Sequence, residues 1–492
     1  MSPEPRYATE SGVATATQTT IPHARQTLEP DVRTASAPEL PRAISMEARA
    51  KARQAVRRAL ALVALLPLTV ILAVKAAGLG SQVLVNIYGL GVLGSTIVVM
   101  YLAFSNYRDP STDAVGLVEQ PLVSCLLAVR DDVQMIERTV HSLVEQTYDN
   151  CEIIVVDDLS TDGTREVLEK LEQLLPIRVI ALEQNVGKKR ALVVAAEYAR
   201  GDYFVFTDSD CVLEPDAVER CMLAFQAHPG IGAVSGHARA LNAEQNLLTR
   251  MQDVWYDGQF GIAKAAESVF RSVTCVSGPL AAFRREAIYN YLPAWAGDRF
   301  LGREFRFATD RQLTGYVLGQ RWIGRRLKRQ YADSPFVTEI DYPERRWGVA
   351  YVRSARAWTN VPSTFRTMIR QQVRWKKSFI RNMFFTGSFF WRRGLAPALI
   401  FYSHALWVLC APVLAFRHLV WLPLTGGLLV PVLYLCGVSL KGSIWGLGYR
   451  LQNRGDRRWI YRPLMSLLSA TVLSWLLVYS AASLRKSVWR RG

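Results

Sequence analysis

Apolar and polar positions divide this chain into two kinds of sequence. Residues from about 117 to 390 mix charged positions with short apolar runs, whereas long uncharged runs lie on both sides of this segment. An apolar run of roughly 20 residues is long enough to cross a bilayer as a helix. The pattern therefore predicts a water-facing domain inserted between membrane-spanning helices.

On the N-terminal side, the pattern predicts a tail and a pair of spans. We expect a disordered cytosolic tail over residues 1–45, which are rich in Thr, Ala, Pro and Glu, and two transmembrane helices within residues 46–107. Val83 to Phe104 is the clearer span. Ala59 to Val74 is short, so either the ammonium group of Lys75 extends to the interface or the helix continues to about Leu79.

On the C-terminal side, we expect spans within residues 394–492, at Leu395 to Phe416, His418 to Leu440 and Tyr461 to Leu484. Basic residues directly before the first apolar run predict a cytosolic N-terminus and, after two spans, a cytosolic large domain in a multi-pass plasma-membrane protein. Three C-terminal spans would leave the basic chain end outside, against the same rule. One explanation is that one of these stretches is re-entrant. The other is that the chain crosses the membrane once more, either at the Gly-rich stretch Leu440 to Tyr449 or at a break inside the last run.

Between these spans, apolar strand-like runs alternate with helical ones. Such alternation over residues 117–365 predicts an α/β domain with a mostly parallel sheet, whose ligands bind at the carboxyl ends of the strands. An interfacial helix is expected over residues 366–393. The predicted strands are Leu122 to Ala128, Ile153 to Val156, Arg178 to Leu182 and Tyr203 to Thr207, and the predicted helices lie near Val133 to Glu145, Thr164 to Leu175 and Lys188 to Ala199.

The net charge of +17 does not by itself choose between a nucleic acid, an anionic membrane and a phosphate-bearing substrate. The basic residues cluster beside the apolar runs, and no recognised nucleic-acid module accompanies them, so we expect no nucleic-acid partner. The seven cysteines include no Cys-x-x-Cys pair, and the six histidines show no metal-ligand spacing. These patterns argue against a disulfide framework and against zinc hydrolase chemistry.

Two acidic motifs follow predicted strands. Asp157 and Asp158 end the second strand, where carboxylates can accept hydrogen bonds from a uracil N–H or from ribose hydroxyls. Turn formation and helix capping are the alternative, and capping is the role assigned to Asp162. Asp208 and Asp210 are two apart in an extended chain, so both can face one Mg²⁺ or Mn²⁺ that also holds two phosphates, although a lone Asp-x-Asp is common on surfaces.

Lys188 and Asp310 are each expected at the start of a helix. Lys188 lies in Asn185 to Arg190, which is not a P-loop, and a cation there is unfavourable for the helix dipole unless an anion such as a diphosphate joins it. A solvated basic turn is the alternative. Asp310 is the candidate base for the proton of an attacking hydroxyl, with an N-cap as the alternative. Val276 to Pro279 is expected to precede another helix.

An aromatic and basic stretch approaches the C-terminal spans and contains Gln371, Arg374 and Trp375. An indole offers a flat apolar face for a sugar ring, and Arg374 can reach a diphosphate. The other prominent side chains of the stretch are expected to be interfacial anchors. They are Lys376, Phe384, Phe385, Phe389, Phe390 and Trp391.

These motifs, taken in order, resemble those of processive family 2 glycosyltransferases. The series is Asp157-Asp158, Asp208-Ser209-Asp210, Thr309-Asp310 and Gln371-x-x-Arg374-Trp375. Gln371 to Phe379 and Ser277-Gly278-Pro279-Leu280 look most like hyaluronan synthases and rhizobial chitooligosaccharide synthases. The resemblance covers about residues 50 to 490 and implies a GT-A (Rossmann-like) cytosolic α/β domain between transmembrane segments.

The resemblance also implies residue roles. Asp157 or Asp158 would contact the uridine, while Asp208 and Asp210 would serve the nucleotide and the metal. Asp310 would be the base, and Gln371, Arg374 and Trp375 would close over the diphosphate and acceptor. The chain departs from the family pattern at Leu159, where Gly is usual, at Ala308-Thr309 before the base, and at Arg130-Asp131-Asp132 after the first strand.

The implied function is an inverting, metal-dependent polysaccharide synthase that passes its product through its own helices. UDP-N-acetylglucosamine, with or without UDP-glucuronic acid, is the donor that the nearest resemblance suggests, and UDP-glucose is the alternative. The expected partners are this donor, the growing polysaccharide and the lipid bilayer. A non-processive transferase acting on a lipid-linked acceptor and a non-catalytic subunit that binds nucleotide sugar are the competing hypotheses.

Overall fold

The computed structural model describes residues 83–307 and 309–485. The expected tail over residues 1–45 and the expected span Ala59 to Val74 lie outside these residues. The strands are β1 Val123–Val129, β2 Cys151–Asp157, β3 Ile177–Ala181, β4 Tyr203–Asp208, β5 Cys211–Leu213, β6 Ile231–Ala240, β7 Ala281–Arg284, β8 Arg299–Phe300, β9 Arg303–Glu304 and β10 Gly348–Thr359.

The α-helices alternate with the strands and then continue alone to the end of the described residues. They are α1 Val83–Tyr101, α2 Ile136–Val144, α3 Thr164–Leu174, α4 Lys188–Tyr198, α5 Ala217–Ala227, α6 Leu247–Gly258, α7 Ala265–Ser268, α8 Arg285–Ile288, α9 Leu292–Ala296, α10 Thr309–Gln330, α11 Pro335–Thr338, α12 Phe365–Phe385, α13 Leu395–Phe416, α14 Leu422–Leu424, α15 Val430–Gln452, α16 Tyr461–Leu468 and α17 Leu476–Ala482.

The larger sheet of the described region has eight strands in the order β3-β2-β1-β4-β7-β6-β10-β5. The pairs β1–β2, β2–β3 and β1–β4 are parallel, and the four strands and three helices predicted from the sequence are confirmed within a few residues. The other half is mixed, because β7 runs antiparallel to both β4 and β6. The expectation of a helix after Pro279 is wrong, since the chain enters β7 there.

The first strand shows why this half of the fold is readable from sequence. All of β1 is buried, with Leu126 in the core on one face of the sheet and Leu127 in the core on the other. Strands covered by helices on both faces are apolar throughout, as parallel strands of α/β domains usually are. Their carboxyl ends therefore lie at one edge of the sheet, and the polar residues that follow them meet there.

Three helical segments of the described region are long and apolar enough to cross a membrane, namely Tyr88–Asp113, Leu395–Leu424 and Val430–Gln452. The bent pair Arg458–Leu473 and Leu476–Ala482 would be a fourth such segment if its two helices together form one span. The expected helix Leu395 to Phe416 has the bounds of α13.

The expected span His418 to Leu440 is wrong. The turn between helices falls near Gly426, and α15 continues through the Gly-rich stretch to Gln452 without a break. The break proposed inside Tyr461 to Leu484 is present, where a π-helical turn over Ser469–Leu473 is followed by a bend of 40°.

Helix α12 and the turns after it pack more deeply than an interfacial helix would. Phe389 and Phe390 are buried, Phe389 beside Trp322 and Phe390 beside Phe401. The anchor assignment is therefore wrong for these two residues, because tertiary packing uses their rings in the core. Phe384 and Trp391 are exposed, as anchors would be.

Candidate active site

The carboxyl ends of β1, β2 and β4 form the floor of a single deep cavity. Arg130 follows β1, Asp158 follows β2 and Asp208 ends β4, and all three side chains line the cavity. The parallel register brings Ala128 beside Val156 and Asp208, which fixes these strand ends at one level. Local strand patterning therefore assembles this part of the site.

Asp157 and Asp158 occupy different environments. Asp157 is buried, accepts a hydrogen bond from the backbone N–H of Ser160 and pairs with Arg165 Nε at 3.0 Å, and it is not among the cavity-lining residues. Asp158 lines the cavity and accepts hydrogen bonds from the backbone N–H groups of Val186 and Gly187 at 2.7 and 2.9 Å. Asp158 therefore positions the loop that leads into α4.

Burial raises the pKa of Asp158 above its ordinary value, while the two N–H donors oppose this effect. Asp162 accepts hydrogen bonds from the N–H and hydroxyl of Thr164 at the start of α3. The capping role expected for Asp162 is therefore confirmed.

The carboxylates of Asp208 and Asp210 lie on the cavity wall and could hold a divalent cation. Their oxygens and Cys211 Sγ all lie within 4.8 Å of one another. Burial raises the pKa of the Cys211 thiol well above its ordinary value, so the thiol stays protonated and donates to Asp210 Oδ1 at 3.5 Å. Because Mg²⁺ and Mn²⁺ take oxygen ligands, the two carboxylates fit such an ion and the thiol does not.

The three consecutive cations at the start of α4 have three different surroundings. Lys188 lines the cavity, and its Nζ is hydrogen-bonded to Asp208 Oδ1. Lys189 is buried away from it and donates to Gln312 Oε1 at 2.7 Å, while Arg190 pairs with Glu304. Lys188 is thus the member of this trio that faces the cavity.

The loop before β7 joins the acidic strand end to the start of α10. A Cβ on Gly278 would lie 2.5 Å from Asp208 Oδ2, so only glycine permits this approach. The thiol of Cys275 points to Asp310 Oδ2 at 3.5 Å, and the N–H of Val276 donates to Thr314 Oγ1 at 2.9 Å. The loop therefore holds Asp208 and Asp310 within one framework.

Helix α12 forms another part of the cavity wall. Gln371, Arg374 and Trp375 all line it, and Gln371 Oε1 is buried without a hydrogen-bond partner among the described residues. The Trp375 indole stacks on Trp255 with ring centroids 5.7 Å apart. Lys376 also lines the cavity, so its assignment as an anchor is wrong.

The cavity has a volume of about 1640 Å³ and continues from the sheet edge into the apolar helices. At one end it reaches Asp158 and Asp208, and at the other it reaches Trp407, Leu433 and Ala470 of the membrane-type helices. The same cavity therefore borders both the carboxylates and the helical bundle.

Sequence reasoning missed many of the residues that line the cavity, among them Trp255, Lys264 and Arg306. Lys264 is the lone charged residue in the apolar run from Phe260 to Ala266, which is a signal that could have identified it. Trp255 is far in sequence from the motifs, so only the folded chain brings it to the site, whereas Arg306 lies shortly before the Thr309-Asp310 motif.

The comparisons with known proteins agree with this geometry. Residues 124–292 match the model of the family described as glycosyl transferase family 2. This part of the chain is similar to family 2 glycosyltransferases. The predicted resemblance to processive members of this family, and to hyaluronan synthases in particular, is confirmed. The predicted GT-A fold class is also confirmed.

The chain is similar to several hyaluronan synthases. That of Streptococcus pyogenes is 31% identical over 304 residues, which cover 61% of this chain and 65% of the streptococcal chain, slightly less than two thirds. Hyaluronan synthase 3 of Xenopus laevis is 24% identical over 411 residues, which cover 75% of this chain and 67% of the frog chain.

Among solved structures, a mannosyltransferase, PcManGT from Pyrobaculum calidifontis in complex with GDP-Man and Mn²⁺, is 18% identical with a TM-score of 0.48. The match covers 82% of this chain and 98% of the mannosyltransferase chain.

Proposed function

We propose that the chain is an inverting, metal-dependent, processive polysaccharide synthase. It would transfer sugars from a UDP-sugar, either UDP-N-acetylglucosamine alone or with UDP-glucuronic acid, to a growing glycan. The observation that supports this proposal best is the continuous cavity from Asp208 and Asp310 to the membrane-type helices. A transferase that merely uses its helices as anchors does not need such a path.

The donor end of the cavity has the groups that a nucleoside diphosphate requires. Asp158 is the uridine-binding candidate, since Asp157 is turned toward Arg165. Lys188 and Arg374 supply positive charge for the diphosphate. Asp208 and Asp210 would hold Mg²⁺ or Mn²⁺, whose charge would offset the negative charge of the leaving diphosphate.

Asp310, in the first turn of α10, would act as the base. The acceptor oxygen would bond to the anomeric carbon as the bond from that carbon to the diphosphate breaks, and the hydroxyl proton would pass to the Asp310 carboxylate. The electron pair would leave with UDP, and the anomeric configuration would invert.

Trp375 and Gln371 would place the acceptor. Trp375 lines the cavity, where its indole would stack on a sugar ring, and Gln371 Oε1 would accept a hydrogen bond from a sugar hydroxyl. Both residues line the cavity that borders the carboxylates and the helical bundle, and the acceptor would lead from the donor toward the membrane.

The proposed domain organisation keeps the boundaries expected from the sequence. Two helices within residues 46–107 would precede a cytosolic domain over 117–365, helix α12 and its turns would fill 366–393, and the remaining spans would lie within 394–492. The chain would be a multi-pass protein of the plasma membrane, with the lipid bilayer around its apolar helices.

Purified protein in proteoliposomes tests the proposed function. Each UDP-sugar, alone and in pairs, is supplied outside with Mg²⁺ or Mn²⁺, and the product is sized and digested with chitinases and hyaluronan lyases. Long glycan protected inside the vesicles supports the proposal. A single sugar added to lipid would indicate the non-processive transferase, and no transfer at all would indicate a non-catalytic subunit.

A further inference from the structure

Lys264 is a buried cation that the proposed mechanism does not use. Its side chain is 8% exposed, and it ends the π-helical turn Gln259–Lys264, between α6 and α7. Such single-turn π-bulges occur frequently at functional sites. Burying an ammonium group in an apolar segment is costly unless hydrogen bonds compensate for the lost water.

The hydrogen bonds of Lys264 connect strand β6 with the loop before β7. Its Nζ donates to Ser235 Oγ at 2.9 Å and to Ser277 Oγ, and it lies 4.0 Å from the centroid of the Phe260 ring. In the described part of the chain, Lys264 therefore binds hydroxyls and a ring face rather than a paired carboxylate. Ser277 belongs to the loop before β7, in which Gly278 packs closely against the carboxylate of Asp208.

The charged and titratable groups that face Lys264 are Cys275, Asp310, Glu267 and Arg311. Glu267 is held by the N–H and hydroxyl of Thr274, and Cys275 points to Asp310. Lys264 is thus a positive charge near the base, and it is hydrogen-bonded to the loop that lies against the acidic strand end.

We propose that Lys264 is a positioning residue for glycosyl transfer. Through Ser277 it fixes the loop from Cys275 to Gly278 between Asp208 and Asp310, and its charge favours the ionised, proton-accepting form of the base. This inference rests on the proposed function of Asp310. It concerns a residue that acts through the loop and the electrostatic field, without taking the proton itself.

Burial lowers the pKa of Lys264 to about 8, so its charge is present below that pH and is lost as the pH rises through it. The proposal therefore predicts that transfer declines on the alkaline side near that value. In Lys264→Arg the guanidinium stays charged, so the alkaline limb of the kcat profile should move to higher pH.

The experiment compares wild type, Lys264→Met, Lys264→Arg and the control Lys328→Met in proteoliposomes over a pH series. Lys328 is a matched buried lysine outside the cavity, bonded to Asp341 and Tyr342. Lys264→Met should lower kcat by about 10- to 100-fold, as loss of an outer-shell partner usually does, and shift its acidic limb to higher pH. UDP affinity by calorimetry should change by less than about threefold, well below this kcat loss.

Lys264→Arg keeps the test decisive even where the methionine variant fails to fold. An unchanged alkaline limb in Lys264→Arg, or an unchanged acidic limb in Lys264→Met, would overturn the inference and leave Lys264 a purely structural residue. An inactive wild type would instead reject the proposed function, so the two failures are distinguishable.

Discussion

The indole rings of Trp375 and Trp255 are stacked with centroids 5.7 Å apart and planes inclined by 28°. Trp255 also packs against a buried cluster that contains Met251, Met368 and Met465. Trp255 therefore supports one face of Trp375 from the core. Trp375 also lies beside Tyr256, with ring centroids 6.1 Å apart, and it lines the cavity.

Trp375→Ala should impair elongation much more than donor binding. Loss of a stacking face costs on the order of 1–3 kcal/mol by analogy with other ring stacking. We expect short products, or hydrolysis of the donor to UDP and free sugar, when product length and UDP release are measured together. The control is Trp391→Ala, which removes an exposed indole outside the cavity lining. Normal polymer made by Trp375→Ala at a normal rate would contradict the stacking role.

Asp310→Asn should reduce transfer by roughly 10²-fold or more while UDP affinity stays nearly unchanged. The amide keeps the shape of the carboxylate but cannot accept the proton. Calorimetric UDP titrations and initial rates separate the two effects, with the exposed Asp333→Asn as the control. If UDP affinity fell as steeply as the rate, Asp310 would be a binding residue and its role as base would be wrong.

Asp210→Asn and chelation of divalent ions should each abolish transfer. The substitution removes one of the two carboxylates that fit a hard cation, and the ion contributes several kcal/mol by neutralising the leaving diphosphate. Rates are measured in EDTA and after Mg²⁺ or Mn²⁺ is restored, with Asp216→Asn, outside the cavity lining, as the control. Full turnover in excess EDTA would reject the metal site.

Leu159→Gly should stabilise the chain. Leu159 has a φ of +61°, in the left-handed region that costs an L-residue about 1–2 kcal/mol, and it stands where the family usually has Gly. Relief of this strain, partly offset by the greater flexibility of glycine in the unfolded chain, should leave a gain below about 1 kcal/mol. The measurement is thermal unfolding in detergent. Leu174→Gly, at the end of α3, should be destabilising, and a lower Tm for Leu159→Gly would show that no strain is stored there.

Several elements were predictable from local sequence alone. Strands β1 to β4 and helices α2 to α4 follow from apolar runs of fixed period, because each is buried by its nearest neighbours in the chain. The cavity positions of Asp158 and Asp208 follow from the same pattern, since residues after parallel strands meet at one sheet edge. The break inside Tyr461 to Leu484 was predicted as one of two alternatives.

The tertiary structure decided what depends on contacts between distant segments. It turned Asp157 toward Arg165, buried Phe389 and Phe390, and brought Trp255 and Lys264 to the cavity. It also made the chain after Pro279 an antiparallel strand, because the free edges of β4 and β6 needed a partner between them. Sequence periodicity specifies which face of an element is apolar, whereas the identity of the neighbour that covers that face is fixed only when remote segments pack together.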